Sequence, residues 1–244
     1  MIPRYFVVAE AKHELQNPTS EEKLLLLGER LGLGPDSRVL DIASGRGGPA
    51  VLLAREFGCT VHGIEIAPEF HAAALEQAGK AGVADHVSFE CNDAANAVLE
   101  SESYDTALCL GASFVFGSLA DTVDSLAPAV RRGGYVAVGE PFWRRTSLPE
   151  DYADRCDPWT TLEGTAVAFE TSGLPVVSVI ASSVDDWDRY ETLHWRTVEH
   201  WLAANAGDPD EAEIRARHER EKRSYLRYGR ELLGWAIFVG WKRP

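Results

Sequence analysis

Short apolar runs alternate with helix-period stretches along most of the 244 residues. RVLDIA (38–43), TVHGIEI (60–66), HVSFECN (86–92), YDTALCLG (104–111), GGYVAVGEP (133–141) and PVVSVIASS (175–183) read as strands. Between them GPAVLLAREFG (48–58), PEFHAAALEQAGKAG (68–82), a short piece near 95–100, residues 119–130 and TTLEGTAVAFETSG (160–173) read as helices. Strand–helix alternation of this kind predicts an α/β fold: a parallel sheet with helices on both faces.

Two stretches depart from the alternation. Before the first strand, residues 5–15 predict an amphipathic helix that stops at Asn17-Pro18, because a residue preceding proline avoids helical geometry. Thr19 and Glu22 then have the spacing of a capping box, and Leu24–Leu27 with Leu31 supply the apolar face of a second helix. After the sixth strand, residues 185–230 are helical throughout, with a turn at NAGDPDEAE where Asp208, Pro209 and Glu211 fit the start of another helix. LGWAIFVGWK (233–242) closes the chain as one more strand. The expected organisation is a single domain: an N-terminal helical segment (1–34), a core (35–184), a helical insertion between strands six and seven (185–230) and a final strand (231–244).

Composition narrows the function classes. With 45% hydrophobic residues the chain can bury one sizeable core. No run is long enough to span a bilayer, and the charged start MIPRYFVVAEAKHE does not resemble a signal peptide, so a cytoplasmic protein is expected. Cys59, Cys91, Cys109 and Cys156 are scattered without a C-x-x-C pair; they read as idle thiols rather than a disulfide or zinc framework. A net charge of −14 repels phosphate backbones and disfavours nucleic acid as a partner.

The chemistry gathers at the strand tips. In an open parallel sheet, ligands bind at the carboxyl ends of the strands near the switch point. The first strand runs into LDIASGRGGPA (40–50), where Gly45, Gly47 and Ala50 fit the dinucleotide spacing G-x-G-x-x-A. The tips also carry Asp41, Glu65 and Asn92-Asp93. Each acid alone has an ordinary reading as a turn former or helix cap. Together they point to one acidic crevice. A pyrophosphate wants backbone N–H groups and no carboxylate at the strand tip, whereas a ligand with an ammonium and a sulfonium suits Asp41. Glu65 is placed to accept from ribose hydroxyls and Asp93 from an adenine amino group.

With these residues in view, the chain resembles the class I S-adenosylmethionine-dependent methyltransferases. LDIASGRGG resembles the first motif of that family, GIEIA its second-strand acid, CNDAA its adenine-contacting loop, and GWAIFVGW its antiparallel seventh strand. Ala43 stands where the family often has glycine. NPTSEEK, GEPFWR, DDWDRYE and RELLGW resemble an uncharacterised bacterial subgroup with a C-terminal helical cap. The resemblance implies a Rossmann-like, seven-stranded, mostly parallel sheet with an antiparallel last strand. It implies S-adenosylmethionine as cofactor, held by Asp41, Ala43, Gly45, Gly47, Glu65, Ile66, Asn92, Asp93, Ala94 and Leu110.

Methyl transfer is an in-line displacement, and a general base is needed only for a protonated acceptor. Glu140 is the candidate base or substrate anchor; its alternative is a loop acid paired with Arg144. Trp187, Tyr190, His194, Val198 and Trp201 share one helix face, which either packs on the body or, through Tyr190 and His194, meets a substrate. Ser113, Phe114, Trp143, Tyr225 and Tyr228 complete the acceptor side, with His194 the second catalytic candidate. His13 lies on a segment able to fold over the cofactor, and Arg46 either pairs with a ligand carboxylate or faces solvent. A small-molecule acceptor is expected. GASFVF after the fourth strand lacks the proline-proline-aromatic motif of DNA amino-methyltransferases. An NAD-dependent oxidoreductase built on Gly45, Gly47, Ala50 and Glu65 remains open, as does a non-catalytic module that binds S-adenosylmethionine.

Overall fold

A computed structural model describes residues 2–153 and 159–244; Cys156 lies outside them. Helices α1 (Arg4–Ala9) and α2 (Glu21–Leu31) precede the alternating core. The core runs β1 (Arg38–Ile42), α3 (Gly48–Phe57), β2 (Thr60–Glu65), α4 (Pro68–Ala81), β3 (Val87–Cys91), β4 (Tyr104–Leu110), α5 (Leu119–Leu126) and β5 (Val130–Trp143). A short α6 (Glu150–Ala153), then α7 (Leu162–Thr171) and β6 (Val176–Ala181), follow. The insertion is α8 (Val184–Ala204) and α9 (Glu211–Ser224), a π-helical turn (Tyr225–Gly229) and α10 (Arg230–Leu232). Strand β7 (Leu233–Trp241) ends the fold.

The seven strands lie in the order β3-β2-β1-β4-β5-β7-β6. All pair in parallel except β7, which is antiparallel to both β5 and β6. The sheet is therefore Rossmann-like, with its switch point between β1 and β4. Side-chain alternation divides the core in two. Val39, Leu108, Ala137, Trp235 and Ile237 face α2, α3 and part of α8. Leu40, Ile42, Ala107, Cys109, Val138 and Phe238 face the opposite layer. Both faces are covered, which is why the strands read as nearly continuous apolar runs.

A third cluster joins α1 to the insertion: Tyr5, Val8 and Ala9 pack with Val198, Leu202 and Ile214. Part of the apolar stripe of α8 is thus covered by the N-terminal segment. Arg4 adds ion pairs to Asp208 and Asp210.

Local boundaries differ from expectation where longer-range contacts win. The first helix stops at Ala9, because His13, Gln16 and Asn17 bond to the glycine turn and to β4 instead of continuing it. The cap of α2 is Ser20, not Thr19: Ser20 is extended and its hydroxyl accepts from Lys23 N–H at 3.4 Å. Near residues 95–100 only a 3-10 turn, Ala94–Asn96, forms. Helix α5 ends at Leu126, short of the expected 130, because Pro128 follows Ala127. No helix among the described residues is long and apolar enough to cross a membrane.

Candidate functional site

The carboxyl ends of β1, β2 and β3 bring Asp41, Glu65 and Asn92-Asp93 to one edge of the sheet. The turn after β1 is tight. Gly45 and Gly47 hold φ of 57° and 80°, and Ala43 also sits in the left-handed region at 53°. A glycine is the cheap residue there, so alanine at position 43 carries about 1 kcal/mol of backbone strain.

Glu65 braces this turn. One carboxylate oxygen accepts from Gly45 N–H and the other from Ala67 N–H, each at 2.8 Å. Each oxygen keeps a further lone pair for a ligand hydroxyl. Burial raises the Glu65 carboxyl above its ordinary range against the pull of those N–H groups. Asp41 is 2% exposed and its Oδ2 has no hydrogen-bond partner. Burial first, and the neighbouring Glu65 second, push its carboxyl up to about 7. The pair therefore forms an acidic pocket without a counter-cation among its hydrogen-bond partners.

Further along, Ile66 is an apolar side chain 47% exposed beside Glu65. Asp93 caps the 3-10 turn, accepting from Ala95 N–H at 3.0 Å and from the Asn96 amide at 2.9 Å. Asn92 accepts from Asp93 N–H at 2.8 Å, and Ala94 is buried. The ordinary capping role of Asp93 is thus occupied, with lone pairs to spare.

The segment after α1 crosses the strand tips like a strap. Gln16 accepts from Arg46 N–H at 2.6 Å, and the His13 carbonyl accepts from Arg46 Nε at 3.1 Å. Asn17 donates to the Leu110 carbonyl at 2.9 Å. A Cβ at Gly48 would lie 1.9 Å from the Glu14 carbonyl, and one at Gly111 2.0 Å from Asn17 Oδ1. Glycine at these two positions is what lets the strap lie flat. Arg46 is engaged by the strap.

The strap continues into a buried polar cluster with α8. Tyr190 donates its hydroxyl to Glu10 Oε1 at 2.8 Å, and His194 Nε2 meets the same oxygen at 2.8 Å. His13 packs against His194 with ring centroids 4.3 Å apart. Burial works against the charge of Glu10, but hydrogen bonds from His194 and Tyr190 keep its carboxyl below the usual range. Burial lowers the His13 imidazole and, with Glu10 beside it, holds the Tyr190 phenol well above its usual value. Tyr190 and His194 therefore turn toward the N-terminal segment.

Glu140 and Trp143, both expected on the acceptor side, fall on opposite faces of β5. Phe142, two residues from Glu140, lies in the layer with Val138, whereas Trp143 stands beside Leu233 and Tyr225. Glu140 is buried with Ser113; burial raises its carboxyl and the Ser113 hydroxyl draws it partly back. Arg144, its expected partner, donates instead to the Leu233 carbonyl at 2.8 Å. Phe114 is 73% exposed.

On the other face, a cavity of about 110 Å³ is walled by Trp143, Tyr152, Trp159, Tyr225 and Glu191, among others. The Trp143 and Trp159 rings lie 5.4 Å apart, and Tyr228 packs on Tyr152 at 4.7 Å. Tyr225 donates to Asp188 at 2.7 Å. Burial pushes the Glu191 carboxyl up to about 7. Glu191 shares the face of Trp187, His194 and Val198, but a charged residue among apolar ones carries no periodic signal of its own. Gln16 and Asn17 gave no signal because their partners are 30 and 93 residues away.

A family model described as a methyltransferase domain matches residues 39–134, which hold the glycine turn and the three acidic strand tips. The uncharacterized protein YjhP of Escherichia coli K12 is 38% identical over 98% of each chain. A solved S-adenosylmethionine-dependent methyltransferase from Geobacter sulfurreducens, in complex with S-adenosyl-L-homocysteine, is 37% identical over 99% of each chain with a TM-score of 0.93. The 27-O-demethylrifamycin SV methyltransferase of Amycolatopsis mediterranei is 31% identical over 51% of this chain and 47% of its own. Likeness at this level over the full length, on this sheet and with these strand tips, makes the chain a member of the S-adenosylmethionine-dependent methyltransferase family.

Proposed function

We propose that this protein transfers a methyl group from S-adenosylmethionine to a small-molecule acceptor held under its helical cap. The observation that carries the reading is Asp41: a buried carboxylate at the glycine turn, with one oxygen unpartnered and Glu65 beside it. Such a site favours a cation and disfavours a pyrophosphate. That fits the methionine ammonium and sulfonium, and it is the reason to set aside NAD.

When bound, S-adenosylmethionine supplies a methyl group on a sulfonium with a neutral thioether as leaving group. The protein's share is positioning and exclusion of water. Asp41 and the Gly45–Gly47 turn take the methionine end, with Leu110 and Ala43 at its side. Glu65 takes the ribose hydroxyls, Ile66 and Ala94 cover the adenine, and Asn92-Asp93 accept from its amino group. Residues 1–34 cover this site and 185–230 form the cap, over a core of 35–184 closed by the final strand, 231–244.

The acceptor lies in the aromatic cavity, with Trp143 and Tyr225 as its walls, Tyr228 behind Tyr152, and Glu191 as its carboxylate. Glu140 with Ser113 is the alternative base for a protonated acceptor, and Phe114 the exposed edge on that face. Tyr190 and His194 act from behind, through Glu10. A cavity of this size and a net charge of −14 both favour a small acceptor over a nucleic acid.

A thermal-shift comparison tests the cofactor. S-adenosylhomocysteine at 100 times its Kd stabilises by about 2.7 kcal/mol, while NADH leaves the melting temperature unchanged. Stabilisation by NADH alone would overturn the reading. Glu65→Ala is expected to weaken S-adenosylhomocysteine at least tenfold, and unchanged affinity would remove Glu65 from the ribose.

A further inference from the structure

The Glu10–His13–His194 cluster contains a contact that hydrogen bonding does not explain. His13 Nε2 lies 3.1 Å from the Tyr190 carbonyl. A carbonyl only accepts, so the Nε2 nitrogen carries the proton and a neutral ring leaves Nδ1 a bare acceptor. That Nδ1 faces Glu10 Oε2 at 3.6 Å, and neither atom has a hydrogen-bond partner. The Ala9 carbonyl is a further acceptor beside the same ring and favours its protonated form, the competitor that any test must separate from a metal ion. Glu10 is 6% exposed and His13 3%, so water does not reach the gap from bulk. With a neutral His13 ring, two buried acceptors thus face each other, an unfavourable arrangement that either a proton or a metal cation between them relieves.

We propose that Glu10 Oε2, His13 Nδ1 and His194 Nε2 bind a divalent first-row transition metal ion of the Zn2+ class. The donor atoms of these three residues lie within 4.8 Å of one another. Two ligands of a tetrahedral Zn2+ are about 3.4 Å apart, so no pair needs to approach by more than about 1.4 Å. The surroundings match those of a metal-bound imidazole: the second ring nitrogen of His13 donates to a backbone carbonyl, and the spare oxygen of Glu10 is held by the Tyr190 hydroxyl. His194 exchanges its hydrogen bond to Glu10 for the metal by moving its proton to Nδ1. Two imidazoles and one carboxylate supply three of the four positions of a tetrahedral ion, and nitrogen donors select against Mg2+ and Ca2+. The ion would join the strap after α1 to α8, His13 and His194 being 181 residues apart in sequence. Because the His13 carbonyl also holds Arg46, the ion would tie the cap to the glycine turn.

Calorimetry on the chelator-treated full chain at pH 7.5, with Zn2+ as the probe, tests this. One submicromolar site per chain is expected, with no response to Mg2+. His13→Gln and Glu10→Gln are expected to weaken Zn2+ at least 100-fold, and Tyr190→Phe, which removes only the support of Glu10, 10- to 100-fold. Circular dichroism of the metal-free variants checks that they are folded. For wild type alone, imidazole nitrogen NMR is expected to show His13 Nδ1 shifting on Zn2+ addition. Zn2+ affinity equal in wild type and His13→Gln, or a His13 ring protonated on both nitrogens with and without Zn2+, would overturn the proposal. Neither readout uses S-adenosylhomocysteine, so failure here leaves the cofactor reading standing.

Discussion

At the scale of single residues, Asp41 links stability, pH and ligand. Its carboxyl titrates at about 7 in the fold, against an ordinary value of 3.8. Between those values the folded chain holds a proton that the unfolded chain has lost. Folding stability therefore falls as pH rises from about 4 to about 7, and the loss is complete above the folded value. Asp41→Asn is expected to flatten that part of the melting-temperature profile of the cofactor-free protein; an unchanged slope would assign the titration elsewhere. A bound ammonium acts in the opposite direction, since it favours the ionised carboxylate. The strand-tip positions of Asp41, Glu65 and Asp93 were legible in the sequence because each closes an apolar run, and at the first a glycine turn follows. Glu191 and Glu10 were not, because their importance comes from burial against elements far away in sequence.

At the scale of elements, α8 depends on its first turn. Ser183 accepts from Asp186 N–H at 3.1 Å, and Asp186 accepts from Ser183 N–H at 2.7 Å, a reciprocal capping box. Asp186 also pairs with Lys23, which fastens the insertion to α2. Burial opposes the Asp186 charge, yet Lys23 and Ser183 hold its carboxyl below the usual range. Ser183→Ala is expected to lower stability by about 1 kcal/mol, and Asp186→Ala by more, since it loses the cap and leaves Lys23 unpaired. Denaturant unfolding checks the order; equal losses would argue that the pair to Lys23 contributes nothing. The order and type of the regular elements were readable because both sheet faces are buried and the helices keep their period. The strap was not, since its course is set by Arg46, Leu110 and two glycines it touches only after folding.

At the scale of the whole molecule, the cap is held at its far end by α1. Tyr5 is buried against the α8 and α9 cluster, and the Arg217 guanidinium lies 4.9 Å from its ring. Tyr5→Ala is expected to cost about 3–5 kcal/mol if α1 stays docked. Hydrogen exchange should then show α1 and the facing part of α8 losing protection together, while β1 to β5 keep theirs; uniform loss would mean the cap and core unfold as one unit.

The place of β7 in the sheet has a consequence for synthesis. It follows β5 and β6 in the chain, yet it lies between them. During translation β6 (ending at Ala181) and β5 (ending at Trp143) both emerge before the strand that pairs with them among the described residues, which starts only at Leu233. The nascent chain must therefore wait with two unpaired edges until Leu233–Trp241 arrives, the state in which strands most readily find wrong partners. A lesion that reaches into β7 therefore removes the one element that joins β6 to β5 among the described residues, and strands both at once.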